Sequence, residues 1–502
     1  MTNRIILTFC TLALLVGSLC AQEFDNPKAR RPPRAKPARQ SGGESVPPLP
    51  LPVTPVRRSE KKRSPAHPAL IGMINFSELR ASLQDGKRVE SPVFPTTSID
   101  IARLMRVANS RLKIRYRHMP LTLEQFSFDP RELPILYITG WTPMPNLSDQ
   151  HVKALRRYLY DGGTLVIHAQ CGRGEFVSSA RTQIDRILPD RRLGPLDTDS
   201  PLFTAYATIT EMRFREDDKP FRTMPPYLEA VYLGCRPALI FSPIDLNCGW
   251  DVANNPIMGG LLYHQDDATR LGLNIIATTL ANFRYARQWG SQTTYHQSKE
   301  ASRDRLVIAQ VIHDGDWDPT PHALPNLLKH IQAGTTLNVQ FKRDVVNLHD
   351  VDVFKHPVLY MTGLRDFKFG ELEIQRLKSY LMSGGVIIAD AATGSRAFDV
   401  AFRREIAKVV EKDLEVLPLE NQVFRMPHRI TSVKYTPLVG AKGPSSAPLL
   451  EGAWIDGHLG IIYSPLSLSN GWEQLGYAYN RGYTDDDALR LGVNIFTYAL
   501  TH

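Results

Sequence analysis

The sequence predicts an α/β protein made of two tandem copies of one domain, each with a mainly parallel sheet and helices on both faces. Three observations lead there. Four blocks recur in the same order at a nearly constant offset, strand-length apolar runs alternate with stretches of helical spacing, and those runs are apolar almost throughout. Strands covered by helices on both sides need that continuous apolar character.

The repeat is the firmest of the three. LPILYITG (133–140) matches HPVLYMTG (356–363) at five of eight positions, and LRRYLYDGG (155–163) matches LKSYLMSGG (377–385) at five of nine. FSPIDLNCGW (241–250) matches YSPLSLSNGW (463–472) at five of ten, and DDATRLGLNI (266–275) matches DDALRLGVNI (486–495) at eight of ten.

Taken in chain order, residues 1–22 read as a secretory signal peptide. Arg4 precedes the apolar run Ile5 to Val16, and Gly17, Ser18 and Ala21 are small residues near a cut. Cys20 raises a lipoprotein reading, but Leu19 before it is bulky for such a cleavage site. Residues 23–66 are expected to be a disordered, Pro-rich basic linker. Residues 28–63 carry eleven Lys and Arg against two Glu, a net +9 equal to that of the whole chain. The basicity thus belongs to a tail, which argues against specific nucleic-acid binding and leaves contact with an anionic surface as the tail's functional reading. Its other reading is a solvated spacer.

The first repeat, 67–285, is expected to hold strands at Leu70–Phe76, Leu112–Tyr116, Pro134–Thr139, Thr164–His168 and Ala238–Phe241. Helices are expected near Ile99–Asn109, Ser148–Tyr160, Glu175–Leu188 and Ala268–Phe283. A polar linker, 286–304, leads to the second repeat, 305–502. There the strands are 306–312, Thr336–Phe341, Pro357–Thr362, Val386–Ala389 and Leu459–Tyr463, with helices at Pro321–Ala333, Glu371–Met382, Ala397–Val410 and Ala488–Leu500. Gly384 and Gly385 stop the second of those helices. The order fits a flavodoxin-like domain. The short linker implies that the copies pack together or turn about a limited hinge.

The stretches HPVLYMTG, LKSYLMSGGVIIAD, FRREI, YSPLSLSNGW and ALRLGVNIFTYALTH make the second copy resemble the bacterial family called domain of unknown function 4159. The first copy resembles it more loosely through LPILYITG, YDGGTLVIHAQCG, FSPIDLNCGW and TRLGLNI. The resemblance covers nearly all of 69–502 and implies a class I glutamine amidotransferase-like, flavodoxin-like fold without implying an activity.

In such a sheet, ligands meet the loops at the carboxyl ends of the strands. The positions there are Thr139 and Gly140, His168 to Gly172, and Ser242 in the first copy, with Thr362, Gly363, Asp390, Thr393, Gly394 and Ser464 in the second. They either form a pocket or merely shape tight turns. Cys171 follows the strand TLVIHAQ where an amidotransferase-like nucleophile would stand. Against that role, Ala169 replaces the expected Gly, the second copy has Thr393 there, and no later His-x-Glu couple appears. Asp314, Asp316 and Asp318 in HDGDWD have the composition of a hard-cation loop without completing an EF-hand. Trp250 and Trp472 either close an apolar seam or stack on a ligand. Asn274 and Asn494, four residues after Arg270 and Arg490, are expected to tie neighbouring loops. Of the five cysteines, Cys235 and Cys248 are the disulfide candidates.

No Walker loop, GxGxxG, HExxH or GxSxG is present, and no cofactor is expected. The functional expectation is an exported, noncatalytic protein of the periplasm or extracellular space that binds a small ligand or an envelope protein. Membrane association could come through the tail. The alternative is a hydrolase using Cys171 in the first repeat or a metal site in the second. Of the two repeats, the second is expected to carry binding.

Overall fold

From edge to edge, the sheet of the first repeat runs Arg117–Leu121, Ala69–Asn75, Ile135–Gly140, Thr164–Ala169, Arg236–Ser242, Glu229–Leu233, Gly194–Pro195. The second repeats it as Asp344–Val346, Ile308–Val311, Val358–Gly363, Val386–Ala391, His458–Ser464, Glu451–Ile455, Glu415–Val416. These assignments come from a computed structural model describing residues 66–75, 79–84, 87–92, 100–251, 260–291, 308–334, 343–440 and 447–502. The expected signal segment, the basic segment through residue 65, linker residues 292–304 and the strand expected over Thr336–Phe341 lie outside the described residues.

Every pairing among the first five strands of each series is parallel. Glu229–Leu233 and Glu451–Ile455 run against their neighbours. The predicted class therefore holds: two tandem α/β domains with mainly parallel sheets. In each copy apolar residues pack on both sides of the sheet, giving two core layers per repeat.

The residues that recur between copies are largely packing devices. Tyr158 donates its hydroxyl to the Leu133 carbonyl at 2.8 Å, and Tyr380 does the same to His356 at 3.0 Å. Each ring lies where a Cβ on Gly163 or Gly385 would fall, and the preceding Gly162 and Gly384 turn the chain at φ +109° and +90°. Trp250 and Trp472 are buried, each donating its indole N–H to the closing helix, at Ala268 and Ala488, over 2.8 Å. Asn274 accepts from the Tyr206 and Ala207 amides at 2.9 Å, and Asn494 accepts from the His428 amide at 2.9 Å while donating to Val423 and His428. Both asparagines thus tie loops. Arg270 and Arg490 instead pair with Asp267 and Asp487.

Three features differ from expectation. The strand expected at Leu112–Tyr116 lies at Arg117–Leu121, because the Asn109 side chain bonds both backbone groups of Tyr116 and holds 112–116 as a turn. The helix of the first repeat runs from Gln265 to Ser291, so the linker expected from 286 begins as helix, with Ala286 and Trp289 buried against the core. The antiparallel strands were not expected at all.

Residues 66–502 form one compact unit. Tyr477 of the second repeat belongs to a core layer of the first, 5.0 Å from the Tyr285 ring. Arg365 donates to the Ala230 carbonyl at 2.6 Å, lies over the Tyr232 ring and pairs with Asp316 at 2.6 Å. Arg481 pairs with Asp199 at 2.7 Å. The copies are interlocked by these contacts.

Candidate functional site

Each repeat has a strained turn where its fourth strand passes into a helix. Cys171 stands at φ 49°, ψ 22°, and Thr393 at φ 57°, ψ 6°, in the left-handed region that a β-branched residue seldom adopts. Such a residue costs on the order of 1–3 kcal/mol and persists only where its surroundings impose it. Here side chains hold the turn: the Cys171 amide donates to Asp245, and the Thr393 amide to Asn470 Oδ1 at 2.8 Å.

In the first repeat these groups converge below the sheet's carboxyl end. Asp245 accepts from the Cys171 amide through one oxygen and from the Cys248 amide, at 2.9 Å, through the other. The parallel pairing of Thr164–Ala169 with Arg236–Ser242 carries 171 and 245–248 to the same pole. One ligand atom from each of Cys171, Asp245 and Cys248 lies within 4.8 Å of the others. The contact with Cys171, then burial and Asp245's charge, push the Cys248 thiol up. Burial, with Asp245 and Asp251 nearby, lifts Asp100 to about 7 despite the bonds from the Ile101 amide and Asn247. His168 is fully buried, its Nε2 against the Tyr137 hydroxyl, and burial lowers its pKa. It is therefore committed to the strand interior rather than to Cys171. The disulfide expectation is corrected: Cys235 and Cys248 are both free, with Cys235 facing Pro319 and Asn470 of the second repeat and Cys248 beside Cys171.

The second repeat fills the equivalent space differently. Asp390, at the position of His168, accepts from the Tyr360 hydroxyl at 2.7 Å, the Leu468 and Ser469 amides at 2.9 Å and the Ser469 hydroxyl at 2.8 Å. Burial still raises its pKa. Thr362, Ser464 and Trp472 are fully buried, and a Cβ on Gly363 would meet Phe398. Trp472 is thus a core residue. The carboxylates of HDGDWD do not converge: Asp314 is exposed, Asp316 pairs with Arg365 and Asp318 with Arg343. Arginines from other elements thus claim two of the three acids of the loop.

Thr393 faces a cavity of about 330 Å³ formed by both repeats. The first supplies Asp197, Asp199, Ser200, Tyr232 and Cys235, and the second Ser395, Tyr477, Tyr479 and Arg481. The Arg481 amide donates to the Thr393 carbonyl at 3.0 Å and its guanidinium to the Gly394 carbonyl, so the strained turn is one wall. Desolvation, then Asp199's charge, raises Asp197, and burial pushes the Cys235 thiol up to about 12. Apart from Thr393, Gly394 and Cys235, sequence reasoning had singled out none of these residues. Asp245 and Cys248 are two of the five positions at which FSPIDLNCGW and YSPLSLSNGW disagree, which did not set them apart from the other three.

Among solved structures, similarity extends to an exo-beta-1,4-mannosidase, Op5Man5 from Opitutaceae bacterium strain TAV5, at 9% identity and TM-score 0.23, over 74% of this chain and 60% of that one. The chain thus spans less than two thirds of that enzyme. A putative phosphosugar isomerase from Silicibacter pomeroyi DSS-3 matches at 7% identity and TM-score 0.15, over 64% of this chain and 75% of that one. No curated protein matches the sequence. The family described as Domain of unknown function (DUF4159) matches twice, at residues 97–280 and 307–500, once in each repeat. With both copies matched over most of their length, the chain belongs to the DUF4159 family, as a tandem pair of its domains.

Proposed function

We propose that this is an exported, noncatalytic binding protein of the cell envelope, whose small polar ligand occupies the cavity between the repeats. The carrying observation is that both copies build this cavity and that its wall includes Thr393 in a left-handed conformation. Strain of that kind concentrates at sites of function. Tyrosine rings beside Asp197, Asp199 and Arg481 suit a ligand with an apolar face and several hydroxyl or amide groups. The signal-like first 22 residues and the basic segment after them support export, and the segment suits contact with an anionic surface or an envelope protein. Among the described residues no helix is long and apolar enough to cross a membrane.

A flavodoxin-like, class I amidotransferase-like ancestry is part of the same proposal. It is supported by a sheet whose parallel core takes chain strands in the order second, first, third, fourth, and by the strained turn at Cys171. Such an ancestry would leave in both copies a turn built for a nucleophile, reused at Thr393 of the second as a cavity wall.

The test is native mass spectrometry of the mature protein purified gently from its own envelope, beside an Ala205→Trp variant that fills the cavity from its wall. A discrete non-covalent adduct is expected on the wild type and not on A205W. An adduct retained by A205W at full occupancy would place the ligand elsewhere, and no adduct at all would count against the reading.

A further inference from the structure

We propose that Cys171, Asp245 and Cys248 form a site for a borderline-soft divalent cation, zinc or a close analogue, in the first repeat. The inference is independent of the inter-repeat cavity. It begins with geometry. Two sulfurs and a carboxylate oxygen all lie within 4.8 Å of one another. A tetrahedral zinc ion, with bonds of about 2.3 Å to sulfur and about 2.0–2.2 Å to oxygen, needs its donors roughly 3.5–3.8 Å apart. The gap closes by side-chain adjustment of about an ångström or less. Thiolate pairs favour zinc over magnesium or calcium. Three protein donors leave one tetrahedral position for water or a ligand.

The donors are also held in place. Each oxygen of Asp245 already accepts a backbone N–H, one from each cysteine that would share the ion, so the three residues brace one another. Each oxygen keeps a further lone pair for a metal. Cys248 is the partly exposed member, whereas Cys171 and Asp245 are buried.

Charge supplies the second, independent argument. Asp100, Asp245 and Asp251 are all at most 1% exposed and lie in the same region. Arg103 pairs with Asp251 at 2.6 Å, whereas neither Asp100 nor Asp245 has a cationic partner among the described residues. Buried carboxylates ordinarily have a counter-charge or a metal.

The second repeat shows that the fold does not need this donor set. In the same places it has Thr393, Ser467 and Asn470, which bond to one another without a thiol or a carboxylate among them: Asn470 Oδ1 accepts from the Thr393 amide at 2.8 Å and from the Ser467 hydroxyl at 2.9 Å. One copy therefore carries two soft donors where the other carries a hydroxyl and an amide, its buried carboxylate being Asp390 on the neighbouring strand. The substitutions Cys171→Thr and Cys248→Asn are accordingly ones the architecture already accommodates.

Cobalt(II) serves as the probe, added to the reduced, metal-stripped mature chain and followed by absorption. The wild type should take up one equivalent, with a thiolate-to-cobalt charge-transfer band in the near ultraviolet and tetrahedral d–d bands in the visible, both abolished by zinc. C171T and C248N should each lose about half the charge-transfer intensity and weaken binding by about tenfold or more. Asp314→Asn, in the acidic loop of the second repeat, should bind as the wild type does. The proposal is overturned if the reduced wild type takes up no cobalt, if the band lacks thiolate character, or if C171T and C248N both bind unchanged. A Cys171–Cys248 disulfide in the untreated chain, with no cobalt uptake after reduction, would identify a redox pair instead.

Discussion

His313 and Asp390 sit in the interior of the same repeat and are accommodated by opposite means. Asp390 is surrounded by donors, four of them within 2.9 Å, which satisfy a carboxylate. His313 is accommodated as a neutral ring: its Nε2–H faces the Thr362 carbonyl at 3.0 Å, its Nδ1 accepts from the Gly315 amide at 3.1 Å, and the Phe367 and Phe398 rings flank it. Burial lowers its pKa from 6.5 to about 4. Between those values the unfolded chain holds the extra proton, so the folded state gains stability as pH rises. The contribution is complete above about pH 6.5 and is lost as pH falls towards 4, and a shift of this size corresponds to roughly 3 kcal/mol. Urea unfolding at pH 7 and pH 4.5 should show the His313→Gln variant losing clearly less stability on acidification than the wild type. Equal losses would mean that His313 is not held neutral.

The residue scale also explains what could be read in advance. Tyr158, Gly163, Trp250 and Asn274, with their partners in the second repeat, recur because each solves one packing or hydrogen-bonding problem that both copies share. Asp245 and Cys248 were not legible as a site, since their meeting with Cys171 depends on two strands adjacent in space and about 70 residues apart in the chain.

Among the elements, the central parallel strands were the readable ones, being apolar nearly throughout. The antiparallel strands Glu229–Leu233 and Glu451–Ile455 were missed because each begins with a glutamate, a residue that argues against a buried strand. Both glutamates are held by an arginine from a helix: Arg181 reaches Glu229 at 2.6 Å, and Arg403 reaches Glu451 at 2.6 Å. Tertiary pairing overrides local propensity there. The closing helices carry a different constraint. A Cβ on Gly492 would lie 2.7 Å from both Leu327 Cδ1 and Trp472 Nε1. Gly492→Ala gains about 1 kcal/mol of helix propensity but overpacks a filled seam at a cost of about 1–3 kcal/mol. The expected balance is a lower midpoint in thermal or urea unfolding. A variant as stable as the wild type would show that the seam has room to give.

On the scale of the whole molecule, duplication built two similar sheets and then made them unequal at the loops beyond the strands' carboxyl ends. The sequence implied the duplication and copies either packed together or joined by a limited hinge, but not that Tyr477 enters the first repeat's core or that Arg365 and Arg481 cross the seam, because those contacts involve segments without periodic pattern. The expectation that the second repeat carries binding placed Asp390, Ser464 and Trp472 beside Thr393, yet of these four only Thr393 reaches the shared cavity. The central claim is therefore that binding resides in the seam. Amide hydrogen exchange should be compared between protein purified from its native envelope and the same protein stripped of small molecules by mild denaturation and refolding. The account predicts faster exchange in the stripped form around 199–205, 393–395 and 477–481, with the central strands unchanged. Identical exchange in the two forms, or a difference confined to segments away from the seam, would contradict it.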